Sequence, residues 1–237
     1  MEEGPKTYDA GKYERPSVTV DIILFSIIDD DLKVLLIKRG NWPFKNHWAL
    51  PGGFIKMKET LEESAAREVK EEIGLNIKDI YLEQLYTFGD PGRDPRTRVI
   101  TVSYFGLLSP DKVEEIKPKK GEIIDSEMFS VKKLPELAFD HEKILKYALK
   151  RLQYKLEYTA VGFELLPEKF TLFELKNMYE IILGEKLDKR NFLKKINSLN
   201  IVEQTGDIKS GAHRPARLYK FKKSIKSAVF RRVEFEK

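Results

Sequence analysis

Residues 53–75 read GFIKMKETLEESAAREVKEEIGL. Thr60 followed three residues later by Glu63 forms a capping box, so a helix starts there. Leu61, Ala65, Val69 and Ile73 recur every four residues as its buried stripe, and Gly74 stands where a left-handed residue closes a last turn. The same helix carries Glu68, Glu71 and Glu72, which the α-helical period projects to one side. Like charges at that spacing repel. A hard divalent cation resolves the conflict, because Mg²⁺ takes oxygen ligands in near-octahedral geometry and commonly shares them with substrate phosphates. Glutamate-rich helix faces are also often merely solvated, and the bare string EVKEE does not separate the two readings. Just upstream, Pro51-Gly52-Gly53 supplies a tight turn whose backbone carbonyls can approach the same cation.

The flanking sequence builds a sheet around this helix. Residues 18–28 (VTVDIILFSII) are rich in β-branched side chains and end at Asp29-Asp30-Asp31; the apolar run 33–38 follows, which reads as a hairpin. Residues 41–54 read as loop with a short strand at 48–50. Strands are expected over 80–88 and 99–108, then a strand at 127–131 and a helix over 142–153. That order predicts a mixed sheet with helices on its faces. The pattern then changes. Residues 171–183 open with a second capping box, Thr171 and Glu174, and close at Gly184. Residues 188–199 form a second helix with Phe192, Ile196 and Leu199 inward. Residues 201–205 and 217–221 read as strands around a loop at 206–215. Helix, turn, basic helix and basic hairpin outline a winged helix-turn-helix. The expected domains are residues 16–153 and 154–237.

At 237 residues the chain suits one large domain or two small ones. It has no cysteine, which excludes disulfides, thiolate zinc sites and cysteine nucleophiles. No apolar run approaches the roughly 18 residues of a membrane span, and residues 1–16 are polar. A soluble cytoplasmic protein without a membrane partner is expected. The formal charge of +5 is uneven: residues 151–237 carry 19 Lys+Arg against 11 Asp+Glu, whereas residues 1–150 carry 24 against 27. The basic half fits either a polyanionic partner or a solvated face.

The full spacing of the motif decides between a solvated helix and a site. Gly53, Glu59, Arg67-Glu68-Val69, Glu71-Glu72 and Gly74-Leu75, with gaps of five, seven, one and one residues, match the signature of Nudix hydrolases at all nine defined positions. The resemblance implies an α+β fold, an α/β/α Nudix sandwich with a mixed sheet. It also implies Mg²⁺- or Mn²⁺-dependent cleavage of a nucleoside diphosphate linked to another group. By position, it makes Glu68, Glu71 and Glu72 catalytic metal ligands with the Gly52 carbonyl beside them. Glu59 and Arg67 would pair to orient loop and helix, Arg67 reaching into the carboxylates. Metal ions neutralise a diphosphate, lower the pKa of bound water and align in-line attack. The general base is open between Glu68, Glu72, Glu122 and Glu127.

Residues 87–98 (TFGDPGRDPRTR) place Arg93, Arg96 and Arg98 at the mouth of the sheet, and Arg39 joins them as a substrate-binding candidate. Such arginines could grip phosphate bidentately, or be tied up by Asp90 and Asp94. Phe88-Gly89, Arg93-Asp94-Pro95-Arg96, Val99 and Tyr104, with Leu134-Pro135 and Ala138-Phe139-Asp140-His141, resemble a Nudix subgroup that handles ADP-ribose. That subgroup carries a C-terminal winged helix, which residues 165–167, 170–172, 184, 188–192 and 214–219 fit. Over about residues 18–221 the chain therefore resembles the Nudix-related transcriptional regulators (NrtR type). This implies a double-stranded DNA operator, an ADP-ribose-like ligand and a homodimer.

Residues 186–232 hold 14 Lys+Arg against 3 Asp+Glu, and phosphate contacts from such a surface are salt-dependent. Lys189, Arg190, Asn191, Lys194 and Lys195 fall on the groove-facing side of the second helix, where Arg and Asn can read guanine and adenine edges. Lys209, His213, Arg214 and Arg217 decorate the wing. Tyr147, Leu149, Leu152 and Leu156 are candidate linker or dimer contacts. His141 is expected to cap the following helix and pack internally, and His47 to be structural. Three functions fit: a DNA-binding regulator that also hydrolyses its ligand, a non-catalytic sensor of a nucleotide or sugar, or a Nudix pyrophosphatase whose tail only dimerises. The complete box favours the first.

Overall fold

The computed structural model describes residues 9–117, 123–210 and 215–222. In chain order the main elements are β1 (Ser17–Ile28), β2 (Asp31–Arg39), β3 (Trp48–Ala49), β4 (Gly52–Phe54), α1 (Leu61–Glu68), β5 (Tyr81–Phe88), β6 (Val99–Leu107), α2 (Pro110–Val113), β7 (Ile123–Ser130) and α3 (His141–Leu156). Then come α4 (Leu172–Leu183), α5 (Lys189–Leu199), β8 (Val202–Lys209) and β9 (Ala216–Phe221). The first seven strands form one mixed sheet centred on β1. β2 returns antiparallel through Asp29 and Asp30, both at φ 54°, the twist that suits a tight hairpin. β6 runs parallel to β1 on its other side, with β5 antiparallel beyond it.

The alternation along β1 assigns the helices to faces. Val20, Ile22 and Leu24 meet Ala65, Val69 and Ile73 of the motif segment, all essentially inaccessible. Ile23 and Phe25 point to the opposite face and pack beneath Ile144, Leu145, Ala148, Leu152 and Leu156 of α3. Burying each of the larger of these side chains, the Val, Ile, Leu and Phe, is favourable by about 1.5–3 kcal/mol. The core under α3 continues into the C-terminal half through Phe163, Phe170, Leu175, Met178, Ile182, Phe192 and Ile196. Helix α3 is thus a wall shared by both halves. Gln153 Nε2 donates to the Ile182 carbonyl at 2.9 Å, and Asn177 Nδ2 donates to Asp30 Oδ1 at 2.6 Å.

Several expectations change. Helix α3 runs past residue 153 because Leu152 and Leu156 both belong to the core, so the expected domain boundary falls inside a helix. For the same reason these two leucines are not available as dimer contacts. Leu149 is partly buried against the core, and Tyr147 is partly exposed. β8 extends to Lys209 through an irregularity between Gln204 and Ile208, taking up part of the expected wing loop. β7 begins four residues earlier than expected, at Ile123. Among the described residues no helix is long and apolar enough to cross a membrane.

Candidate functional site

The motif segment is not one uniform helix. After α1 it winds as a π-helix over Val69–Ile73 and ends at Gly74 in the left-handed region. The wider π turn breaks the single carboxylate face expected from α-helical spacing. Glu71 is 53% exposed at its side chain, whereas Glu72 turns inward and accepts the Gly52 N–H at 2.8 Å. Glu68 is buried against Gly53, where an added Cβ would lie 2.3 Å from its Oε1. Gly52 has φ 153°, and a Cβ there would strike the Val20 carbonyl at 2.1 Å; only glycine lets β4 lie against β1. Gly52 thus touches Glu72 through its amide. Its carbonyl was the group implied by the resemblance.

Arg67 organises the carboxylates. Its Nε and Nη2 donate to the two Glu59 oxygens at 2.8 and 3.1 Å, and Nη1 donates to Glu68 Oε1 at 2.6 Å and Glu71 Oε2 at 3.3 Å. Nη2 also reaches the Phe54 carbonyl at 3.0 Å, tying α1 to β4. The hydrogen bond from Arg67 holds Glu59 below the usual carboxylate range. Burial pushes Glu68 up, and pushes Glu72 up to about 8. Among the described residues no three His, Asp or Glu side chains are gathered into a ready cation site. Of the candidate bases, Glu127 is exposed on β7, and Glu122 lies outside the described residues.

Beside this cluster opens a pocket whose wall includes Glu72, Asp21, Arg39, Arg93, Arg96 and Phe139. Arg93 is buried and committed to carboxylates: Nη2 and Nε donate to Asp140 at 2.7 and 3.1 Å, and Nη2 donates to Asp21 at 3.2 Å. Arg96 forks onto Asp94 at 2.7 and 3.0 Å while its guanidinium stacks over Phe54 and Phe139. Arg39 donates to the Pro43 carbonyl at 2.9 Å and lies over the other aromatic partner it shares with Arg96, Phe139, at 4.9 Å. Arg98 is exposed and is not part of the pocket wall. His141, buried at the first position of α3, accepts the Leu50 N–H on Nδ1 at 2.9 Å, and Nε2 faces Asp21 Oδ1 at 3.8 Å. It packs internally, but it does not cap α3. Burial lowers its pKa, so the ring is neutral at pH 7 with its proton on Nε2. His47 is a half-buried loop residue in edge contact with Phe44.

In the C-terminal half, Asp188 caps α5 by accepting the Asn191 N–H at 2.9 Å, and Phe192 and Ile196 anchor its inner face. Lys189, Arg190, Asn191 and Lys194 are exposed and Lys195 is half-buried. Among the described residues, Lys189, Arg190 and Lys194 are in no ion pair, whereas Lys169, Lys209 and Lys220 are paired with Asp207, Glu174 and Glu203. The basic excess therefore concentrates on α5. Arg217 is exposed on β9 and lines a cleft with Lys189, Phe173 and Leu193. Arg214 and His213 lie outside the described residues.

Residues 18–151 match the NUDIX domain family, and residues 162–221 match the NrtR DNA-binding winged helix domain. Over 221 residues the chain is 39% identical to the "ADPR responsive transcriptional repressor NtrR" of Acinetobacter baylyi, covering 90% of this chain and 85% of that one. The chain belongs to the NrtR family of Nudix proteins. The crystal structure of Shewanella oneidensis NrtR complexed with a 27mer DNA superposes with a TM-score of 0.78 at 34% identity, covering 91% of this chain and 98% of that one. The Nudix half is also similar to an ADP-ribose pyrophosphatase of Methanocaldococcus jannaschii, 44% identical over 134 residues, 56% of this chain and 73% of that one.

In this NrtR-family chain, three acidic residues outside the motif shape the two sites. Asp21 joins the pocket to Arg93, and it is the one charge in the apolar run 18–28, a visible signal. Asp140 holds Arg93 from 47 residues away; it lies in the quoted run Ala138-Phe139-Asp140-His141, but nothing in that run names its partner. Glu180 is buried on the last turn of α4, from which it accepts the Leu187 N–H of the following turn at 2.8 Å and pairs with Lys176 and Lys186. These donors hold it down at about 2 despite its burial.

Proposed function

We propose that this protein is a DNA-binding transcriptional regulator whose Nudix domain binds an ADP-ribose-like nucleoside diphosphate derivative. With its complete box, the domain hydrolyses that ligand with Mg²⁺ or Mn²⁺. The observation that carries this reading is one sheet with the Arg67-centred carboxylate cluster on one face, beside its arginine-lined pocket, and on the opposite face a core shared with a capped helix of cations without carboxylate partners among the described residues.

The donor chemistry fits a hard divalent cation. Glu68, Glu71, Glu72 and the Gly52 carbonyl offer oxygen only, and burial strains the negative charge on Glu68 and Glu72, which a cation relieves. When bound, the cation supplies charge neutralisation at the diphosphate and a more acidic water. Arg67 orients Glu68 and Glu71 while anchored on Glu59. Arg39 and Arg96, held by Phe139, present guanidinium to phosphate. Lys189, Arg190, Asn191, Lys194 and Arg217 meet the DNA. A two-fold operator needs two such helices, so a homodimer is part of the proposal.

ADP-ribose with Mg²⁺ tests the enzymatic step: release of phosphomonoester products that Glu71→Gln abolishes supports it. Mobility shift of DNA upstream of the protein's own gene tests the other half, with Arg190→Ala and Lys194→Ala expected to weaken the complex. One observation favours a second reading, a sensor without turnover. Arg67 Nη1 donates to both Glu68 and Glu71. ADP-ribose binding without products would select that reading.

A further inference from the structure

We propose that Arg93 and Asp140 couple the pocket to the DNA-binding half by switching the N-cap of α3. The proposal rests on the regulator reading above. Asp140 occupies the N-cap position of α3, where aspartate is among the best residues because its carboxylate can accept the N–H of the second or third helical residue. Here it makes no such bond, with φ −96° and ψ 21°. Both its oxygens are instead taken by Arg93, across 47 residues of chain. Phe139, just before it, sits at φ 54°, a left-handed conformation that a bulky side chain adopts only when its surroundings impose it. The start of α3 is therefore held uncapped by a contact on the pocket wall, since Arg93, Phe139 and His141 all line the pocket.

An anionic ligand competes for that contact. A guanidinium fork binds phosphate and carboxylate oxygens in the same bidentate geometry, so a diphosphate in the pocket draws Arg93 from Asp140. The freed carboxylate lies beside the positive end of α3 and swings onto the Glu142 N–H, the Lys143 N–H already donating to the Asp140 carbonyl at 3.0 Å. Helix α3 then resets against its neighbours. At 16 residues it spans roughly 24 Å, from the pocket to the second half of the molecule. Its far end carries Leu152 and Leu156 into the core shared with Met178 and Ile182, and Gln153 grips the Ile182 carbonyl. Ile182 lies one residue before the end of α4, and the Glu180-pinned turn leads from there into α5. The two arrangements of Asp140, held by Arg93 or capping α3, are the bistable element that both sites bias.

The test uses the full chain, ADP-ribose as the probe, calorimetry for its binding and fluorescence anisotropy with an operator duplex. Wild-type DNA affinity should change by about 5- to 150-fold at saturating ADP-ribose, the usual range of coupling between sites. Gln153→Leu touches neither pocket nor α5, so each ligand alone should bind within about twofold of wild type while the response falls toward unity. Asp140→Asn keeps a good cap but loses the charge that holds Arg93. Its DNA affinity without ADP-ribose should equal that of wild type with it. An Asp140→Asn protein that matches ligand-free wild type, together with a full response in Gln153→Leu, overturns the coupling alone. Wild-type protein that binds neither ADP-ribose nor DNA overturns the regulator reading, and this proposal with it.

Discussion

Replacing Glu72 by Gln should make the metal-free protein more stable, by an amount that depends on pH. Burial raises the Glu72 carboxyl from 4.5 to about 8, while Gly52 N–H donates to Oε2 at 2.8 Å. Between those two values the folded state holds a proton that the unfolded chain releases. Stability from this group is therefore fully present below pH 4.5 and is lost as pH rises toward 8. Each pKa unit corresponds to about 1.4 kcal/mol, so the ionisable carboxyl costs up to about 3 kcal/mol at pH 7 and about 1 kcal/mol at pH 5. Gln keeps an acceptor for the Gly52 amide and never ionises. For a chain of this size the melting temperature should rise by roughly 6–12 °C at pH 7 and by roughly 2–4 °C at pH 5. Thermal melts in chelator at both pH values measure this directly. Added Mg²⁺ should raise the wild-type melting temperature and leave the variant unmoved. An equal change at both pH values, or destabilisation at pH 7, would refute the assignment of Glu72 as a carboxyl strained by burial.

Three further outcomes follow from named contacts. His141→Leu strands the buried Leu50 N–H and should cost about 1–3 kcal/mol in denaturant melts, with His141→Asn recovering part of the loss through its side-chain oxygen. Because burial lowers the His141 pKa, stability from the neutral ring is present above pH 6.5 and should decline as the solution is acidified through the depressed value. Arg67→Ala leaves Glu59, Glu68 and Glu71 without their common partner and should lower the melting temperature; Arg67→Lys should restore little, since an ammonium cannot fork across Glu59. Lys194→Ala should weaken DNA binding at every sequence tried and reduce the slope of log affinity against log salt by about 0.9, an unchanged slope placing Lys194 away from phosphate.

Much of the architecture is legible along the chain. The Thr60 and Thr171 capping boxes form as their spacing demands, and Ala65, Val69 and Ile73 are buried as their period requires. Phe192 and Ile196 turn inward, leaving Arg190 and Lys194 outside. What misleads is the assumption of a uniform helix. A π turn over Val69–Ile73 sends Glu71 outward and Glu72 inward, and a four-residue apolar repeat does not distinguish it from an α-helix. The arginine loop misleads differently: its residues advertise charge, while their partners lie on other elements.

The sequence by itself determined the elements, the carboxylate motif and the basic second half, because capping, periodicity and local charge act over a few residues. Tertiary structure alone decided which partners the pocket arginines hold. Arg93 meets Asp21 and Asp140 from 72 and 47 residues away, and His141 receives the Leu50 amide from 91. It also decided that α3 joins the halves in one core. Such pairings depend on how strands and helices stack, and a buried ionic contact forms only where that stacking brings its partners together and excludes water.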